Sequence, residues 1–95
     1  MDKVRIDKWL WAARFFKTRA LAKNAIENGK VHINGQKPKP SRMLDVGETL
    51  TVRQGYDEKI LEVVALCDQR RGAADAQKLY RETDESIATR DEQQA

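Results

Sequence analysis

Arg5-Ile6-Asp7-Lys8-Trp9-Leu10-Trp11-Ala12-Ala13-Arg14-Phe15-Phe16 is the stretch from which the fold can be read. Ile6, Trp9, Leu10, Ala13 and Phe16 recur at the helical interval and predict a first helix beginning near Ile6–Asp7, with these five on its core face. Lys17 interrupts the pattern. Thr18 then suits the N-cap of a second helix, because its hydroxyl can accept an orphan backbone N–H. Leu21, Ala22, Ala25 and Ile26 share the apolar face of that helix, and Gly29 falls where a left-handed C-terminal residue is wanted. The reading is two short helices joined by a tight turn.

Beyond Gly29 the period changes to two. Val31 and Ile33 alternate with Lys30 and His32, and Asn34-Gly35 is a type I′ turn signal. Pro38 and Pro40 flank Lys39 and cannot donate to a sheet ladder, so 37–42 is an edge or loop. Asp45-Val46-Gly47-Glu48 reads as a turn with solvated carboxylates, and Leu50 and Val52 mark a second strand. After a reversal around Gly55, Ile60–Leu66 is apolar on both faces apart from Glu62. This suits a strand covered on both sides, with a buried helix segment left open by periodicity. Ala76, Leu79, Tyr80, Thr83 and Ile87 predict a C-terminal helix within 73–88. The expected organisation is therefore a domain over 1–68, a helical extension over 69–90 packing on it, and a disordered acidic tail over 91–95.

Ninety-five residues, 40% hydrophobic and 35% charged, leave room for one small and very polar folded domain. A lone cysteine, Cys67, excludes an internal disulfide and a multi-thiolate zinc site, and is expected to be a small buried apolar side chain. A single histidine makes a histidine-rich metal site equally unsupported, and His32 itself is read as a surface residue. No cofactor is expected. No secretory leader is legible and no apolar run approaches the roughly 18 residues of a membrane span, so the expected compartment is the cytoplasm, with no membrane partner.

Charge is distributed unevenly. Residues 1–42 carry 11 Lys or Arg against Asp2, Asp7 and Glu27, whereas residues 43–95 carry 7 against 12 acidic residues. A basic half that is also the patterned half points to phosphate groups as partners, since each neutralised phosphate releases counterions. Arg5, Lys8 and Arg14 lie on or beside the first helix, and Lys17 is in the turn. Arg19 and Lys23 share a face four apart, a spacing at which like charges repel by about 0.2–0.5 kcal/mol. Lys30, Lys37, Lys39 and Arg42 continue the run, and Arg70–Arg71 forms a basic turn.

Trp11 and Phe15 fall away from the core stripe on a helical wheel and are adjacent to each other. Burial against Leu79–Tyr80 is the favoured reading over stacking on unpaired bases, because a small domain needs that apolar area. No glycine-rich phosphate loop, nucleophile elbow or metal-ligand spacing is present, so catalysis has no support.

Taken in order, Arg5-Ile6-Asp7-Lys8-Trp9-Leu10, Lys17-Thr18-Arg19, Gly29-Lys30-Val31, Asn34-Gly35 and Gly47-Glu48 resemble the S-four RNA-binding domain over about residues 3–53. Asp7 to Phe15, with Gln69-Arg70-Arg71, is similar to one subfamily, the bacterial heat-shock proteins of fifteen kilodaltons. The resemblance implies an α+β fold, the S-four (αL) arrangement, with two N-terminal helices packed on a small antiparallel sheet, joined here by the C-terminal helix. It further implies a noncatalytic protein that binds ribosomal RNA on free large subunits carrying a nascent chain on transfer RNA, and that helps recycle such stalled particles. Arg5, Lys8, Lys17, Thr18, Arg19, Lys23, Lys30 and the 37–42 loop with Lys37, Lys39 and Arg42 would face RNA, with Arg14, Arg70 and Arg71 as additions. Two departures are visible: Glu48 stands where the wider family usually has aspartate, and an acidic stretch stands where the subfamily usually continues into a basic extension.

Three other classes fit parts of the pattern. A helix-turn-helix DNA-binding regulator matches the two helices, yet no dimer-forming surface is legible, and the free chain is expected to be a monomer. An accessory module of an RNA-modifying enzyme is the second, and a protein-interaction module built on Trp11 and Phe15 the third.

Overall fold

Helix α1 (Ile6–Ala12) begins without a side-chain cap, since Arg5 before it offers no acceptor to the first turn. The orphan donors are satisfied from a distant part of the chain. Ile6 N donates to Arg42 O at 2.8 Å and Asp7 N to Pro40 O at 3.4 Å, while Lys8 N donates to the Asp7 carboxylate at 2.7 Å. The proline loop is therefore part of the helix terminus. The same contact is extended by a two-stranded ribbon, β1 (Val4–Arg5) antiparallel to β3 (Met43–Leu44). The structure is a computed structural model describing residues 3–94; Met1, Asp2 and Ala95 lie outside it.

At its other end α1 closes with a Schellman motif. Phe15 N donates to Leu10 O and Arg14 N to Trp11 O, with Arg14 at φ 65° in the left-handed position that glycine usually takes. That residue breaks the helical period, so the wheel drawn through Phe16 fails one step early. Phe15 turns into the core, its ring 4.8 Å from Tyr80 and 6.3 Å from Trp9, and Phe16 is left half-buried. Trp11 is likewise half-buried against the core edge.

Thr18 caps α2 (Arg19–Glu27), its hydroxyl accepting from Leu21 N at 3.1 Å, an interaction worth about 1 kcal/mol. Gly29, at φ 75°, completes a second Schellman motif, with Lys30 N on Ala25 O and Gly29 N on Ile26 O. Ala22, Ala25 and Ile26 are buried, at spacings of three and four. Leu21 lies one position off that line and is 48% exposed, contrary to its expected place in the core.

A four-stranded antiparallel sheet carries the rest, in the order β2 (Val31–Ile33), β4 (Thr49–Gln54), β5 (Asp57–Val63), β6 (Tyr80–Glu82). Val31, Ile33, Leu50, Val52, Leu61 and Val63 alternate onto the buried face and meet Ile6, Trp9, Leu10 and Ile26. Asn34 (φ 50°) and Gly35 (φ 81°) make the tight turn, with Ile33 and Gln36 exchanging both hydrogen bonds. Pairing stops there, and the chain enters the proline loop with Pro38 buried.

Several expectations need correction. The third strand runs three residues earlier than Ile60–Leu66, because Val64 N and Ala65 N leave the sheet to share Leu79 O. The segment within 73–88 is not one helix. It is a single turn, α3 (Ala73–Ala76), a 3-10 turn over Gln77–Leu79, the strand β6, and α4 (Asp84–Gln94). Val63↔Tyr80 and Leu61↔Glu82 pairing makes residues 80–82 an integral sheet strand, so the extension completes the domain instead of leaning on it. Helix α4 continues to Gln94 where the composition predicts disorder from 91. Cys67 is only partly buried, packed against the edge of the core and not enclosed within it.

Candidate nucleic-acid interface

Asp7 organises the basic end of the helical pair. Its side chain is 5% exposed at the N-terminal turn of α1, where the helix dipole favours a carboxylate. Arg5 grips it with both fork nitrogens, Nε to Oδ1 at 3.2 Å and Nη2 to Oδ2 at 2.9 Å. Arg19, from the first turn of α2, brings Nη2 to 3.9 Å of Oδ1. Both arginine side chains remain 45% exposed. One buried carboxylate thus orients two half-exposed guanidiniums from two elements, leaving their outer donors toward solvent.

Arg42 joins this end through its backbone, which accepts from Ile6 N, and its side chain is held in turn. Its Nη2 lies 2.8 Å from Glu48 Oε2, while Glu48 Oε1 accepts from Asp45 N at 2.6 Å. Burial pushes the Glu48 carboxyl up, but the Arg42 hydrogen bond, the Asp45 N–H and the charges of Arg42 and Lys3 together hold it below its ordinary value. Glu48 is therefore a structural anchor, not the freely solvated turn carboxylate expected.

The remaining cations separate into groups. Lys8 is half-buried on the first turn of α1, and Lys37 and Lys39 are exposed on the proline loop that caps that turn. Lys17 is exposed between the helices, next to Thr18, whose hydroxyl is engaged as a cap. Lys23 lies 3.9 Å from Glu27, and with Arg19 on Asp7 the expected repulsion between Arg19 and Lys23 is offset on both sides. Lys30 sits apart, at the far end of α2. Arg14 belongs to a third place: its Nη1 donates to Arg71 O at 3.0 Å, Arg71 reaches Gln69 Oε1, and the half-buried Arg70 has an Nε with no partner among the described residues.

Asp7, which joins Arg5 to Arg19, is not among the basic side chains that the sequence singles out. The available signal was an acid two positions after Arg5, on the first turn of a helix. Among the described residues no group of three or more His, Cys, Asp or Glu is placed to hold a metal, and no helix is long and apolar enough to cross a membrane.

Comparison with known proteins matches the S4 domain over residues 4–50. Heat shock protein 15 homolog of Haemophilus influenzae is 57% identical over 90 residues, covering 95% of this chain and 69% of its own length. Heat shock protein 15 of Escherichia coli K12 is 57% identical over 89 residues, covering 94% and 67%. More distantly, the RQC P-site tRNA stabilizing factor of Bacillus subtilis is 38% identical over 65 residues, covering 68% and 76%. A solved structure described as trimeric, Vibrio cholerae heat shock protein 15, superposes with a TM-score of 0.94 at 56% identity, covering 97% of this chain and 93% of that one. The α1–α2 pair, the sheet it packs on and these likenesses along nearly the whole sequence place the chain in the heat shock protein 15 family, whose fold is the α+β S4 domain.

Proposed function

We propose that the chain is a noncatalytic RNA-binding protein of the translation apparatus, contacting ribosomal RNA on free large subunits that carry a nascent chain on transfer RNA. The observation carrying this reading is the Arg5–Asp7–Arg19 cluster, a pair of oriented half-exposed guanidiniums, with the loop that carries the exposed Lys39 bonded to Asp7 N through Pro40 O. Such donors suit phosphate oxygens, which position a protein on RNA without reading its sequence. Arg5, Lys8, Lys17, Arg19, Lys37, Lys39 and Arg42 form the principal face. Lys23 and Lys30 flank it along α2, and Arg14, Arg70 and Arg71 supply a separate contact. Thr18 acts by fixing the start of α2.

The ribosomal reading is supported by family membership, and its transfer-RNA element by the name of the Bacillus subtilis relative. A cytoplasmic location accompanies it. The test is co-sedimentation with small subunits, empty large subunits, large subunits bearing peptidyl-tRNA, and intact ribosomes. Enrichment on peptidyl-tRNA-bearing large subunits is the expected result; association with none of the four would remove the ribosomal role. The free chain is taken as a monomer, since the exposed Leu21, Met43, Val46, Tyr56, Val64 and Ile87 are scattered along the sequence. A trimer of this chain by light scattering, the state named for the Vibrio cholerae structure, would overturn that.

A further inference from the structure

Along α2, from Leu21 in its first turn to Asn28 at its C-cap, runs a groove of about 310 Å3 between the helix and the end of β4. That volume is at the low end of small-ligand clefts, roughly 300–1,000 Å3, and too little for a partner helix. One wall is formed by Phe16, Leu21, Asn24 and Asn28, the other by Arg53 at the β4 terminus, with Lys30 also lining it. Backbone and side-chain bonds fix the walls: Arg53 N donates to Lys30 O at 2.8 Å, and the Gln54 amide donates to Phe15 O.

The lining has a definite chemistry. Phe16 and Leu21 offer apolar surface, and Leu21 is 48% exposed although it lies on a helix with a well-formed buried face. Two exposed amides supply donors and acceptors. Lys30 and Arg53 are exposed, neither has an ion-pair partner among the described residues, and no lining residue is acidic. An apolar peptide would leave both cations uncompensated, and a duplex is too wide to enter. An unpaired nucleotide satisfies every part: a base against the Phe16 ring, its edge toward the Asn amides, its phosphate between Lys30 and Arg53.

Resting on the RNA-binding reading above, we infer that the Phe16–Leu21–Lys30–Arg53 groove is a subsite for one unpaired nucleotide of the bound RNA. The groove adds single-strand recognition to a face that otherwise meets phosphates. It gives the protein a preference for a helix end or bulge over a continuous duplex.

Two fluorescein-labelled RNA hairpins with the same stem, one blunt and one with a 3′ uridine overhang, test this by anisotropy at matched salt. The wild-type chain is expected to bind the overhang probe at least about fivefold more tightly, the lower range for one stacked base. Arg53→Gln and Phe16→Leu should each reduce that preference while leaving the affinity for the blunt stem unchanged. Arg53 is exposed on a strand, so its substitution remains informative should Phe16→Leu unfold the chain. Equal binding of the two probes by the wild type, or a preference retained in Arg53→Gln, overturns the subsite and leaves the RNA-binding reading standing. Binding of neither probe overturns both.

Discussion

Arg14 Nη1 donates to the Arg71 carbonyl oxygen at 3.0 Å, tying the left-handed end of the first helix to a turn 57 positions later. An arginine at φ 65° costs on the order of 1–2 kcal/mol relative to a residue free of Cβ crowding. Its side chain is exposed, so the bond recovers part of that cost at most. Arg14→Gly should therefore be more stable than Arg14→Ala by about 1 kcal/mol in urea denaturation, although both lack the Arg71 contact. Equal stabilities would show that the backbone there is unstrained.

Asp7 gives the sharpest test of the basic face. Asp7→Asn raises the net charge by one and keeps an acceptor for Lys8 N, yet releases Arg5 and Arg19. RNA affinity should fall severalfold, and stability by about 1–3 kcal/mol, because two guanidiniums lose their counterion. A gain in affinity, as pure charge counting predicts, would mean that orientation by Asp7 is irrelevant.

Arg19 and Lys23 separate by their partners. Arg19→Ala removes a guanidinium held by a buried carboxylate, whereas Lys23→Ala removes an exposed amine already shared with Glu27. Arg19→Ala is expected to cost more binding free energy and to flatten the slope of log affinity against log salt by about one contact. Identical losses from the two substitutions would argue for a diffuse field in place of an oriented site.

Glu48 sets a pH dependence. Its carboxyl is held below the ordinary 4.5 in the folded chain, so its contribution is fully present above that value and is lost as pH falls through the lower folded-state value. Glu48→Gln should be less stable at neutral pH, and its stability should change less than the wild type's on acidification below 4.5. Parallel pH profiles for the two proteins would exclude the Arg42 pairing as the cause.

Trp9 and Trp11 should differ sharply. Trp9 is fully buried and its Nε1 donates to Ala65 O at 2.9 Å, so Trp9→Ala is expected to cost about 3–5 kcal/mol. Trp11 is partly exposed and should cost distinctly less. Guanidinium melts of both variants, followed by circular dichroism, would decide it; equal losses would place Trp11 in the core.

What could be read from the sequence follows from how local each signal is. Thr18, Gly29 and Asn34-Gly35 act through bonds that span three to five positions, and each stands as its pattern indicates. Strands β1 and β6 escaped because two or three residues carry no period, and what makes them strands is a partner far along the chain. Ala76, Leu79, Tyr80, Thr83 and Ile87 mimic a helical stripe, yet pairing of Tyr80–Glu82 with β5 outweighs that local preference. The exchange of Phe15 for Phe16 in the core comes from Arg14, which adopts a glycine-like conformation at the end of the first helix without being glycine. Among the candidate site residues, the list of cations was legible. Their grouping was not, because Asp7 and Glu48 do the grouping and neither is basic.

The ribbon between Val4–Arg5 and Met43–Leu44 closes a loop of about 40 residues around both helices. The helical hairpin and its Arg5–Asp7–Arg19 cluster can assemble from contacts within residues 5–19, but Arg42 and the proline loop join them only after that closure. The Arg42 side of the face therefore belongs to the high-contact-order part of folding. A chain emerging from synthesis carries the positive charge of its first 42 residues early, and the clasp of Arg42 and the proline loop on the first helix comes later. Amide exchange at Ile6, whose N–H is held by Arg42 O, would report the opening of that clasp directly.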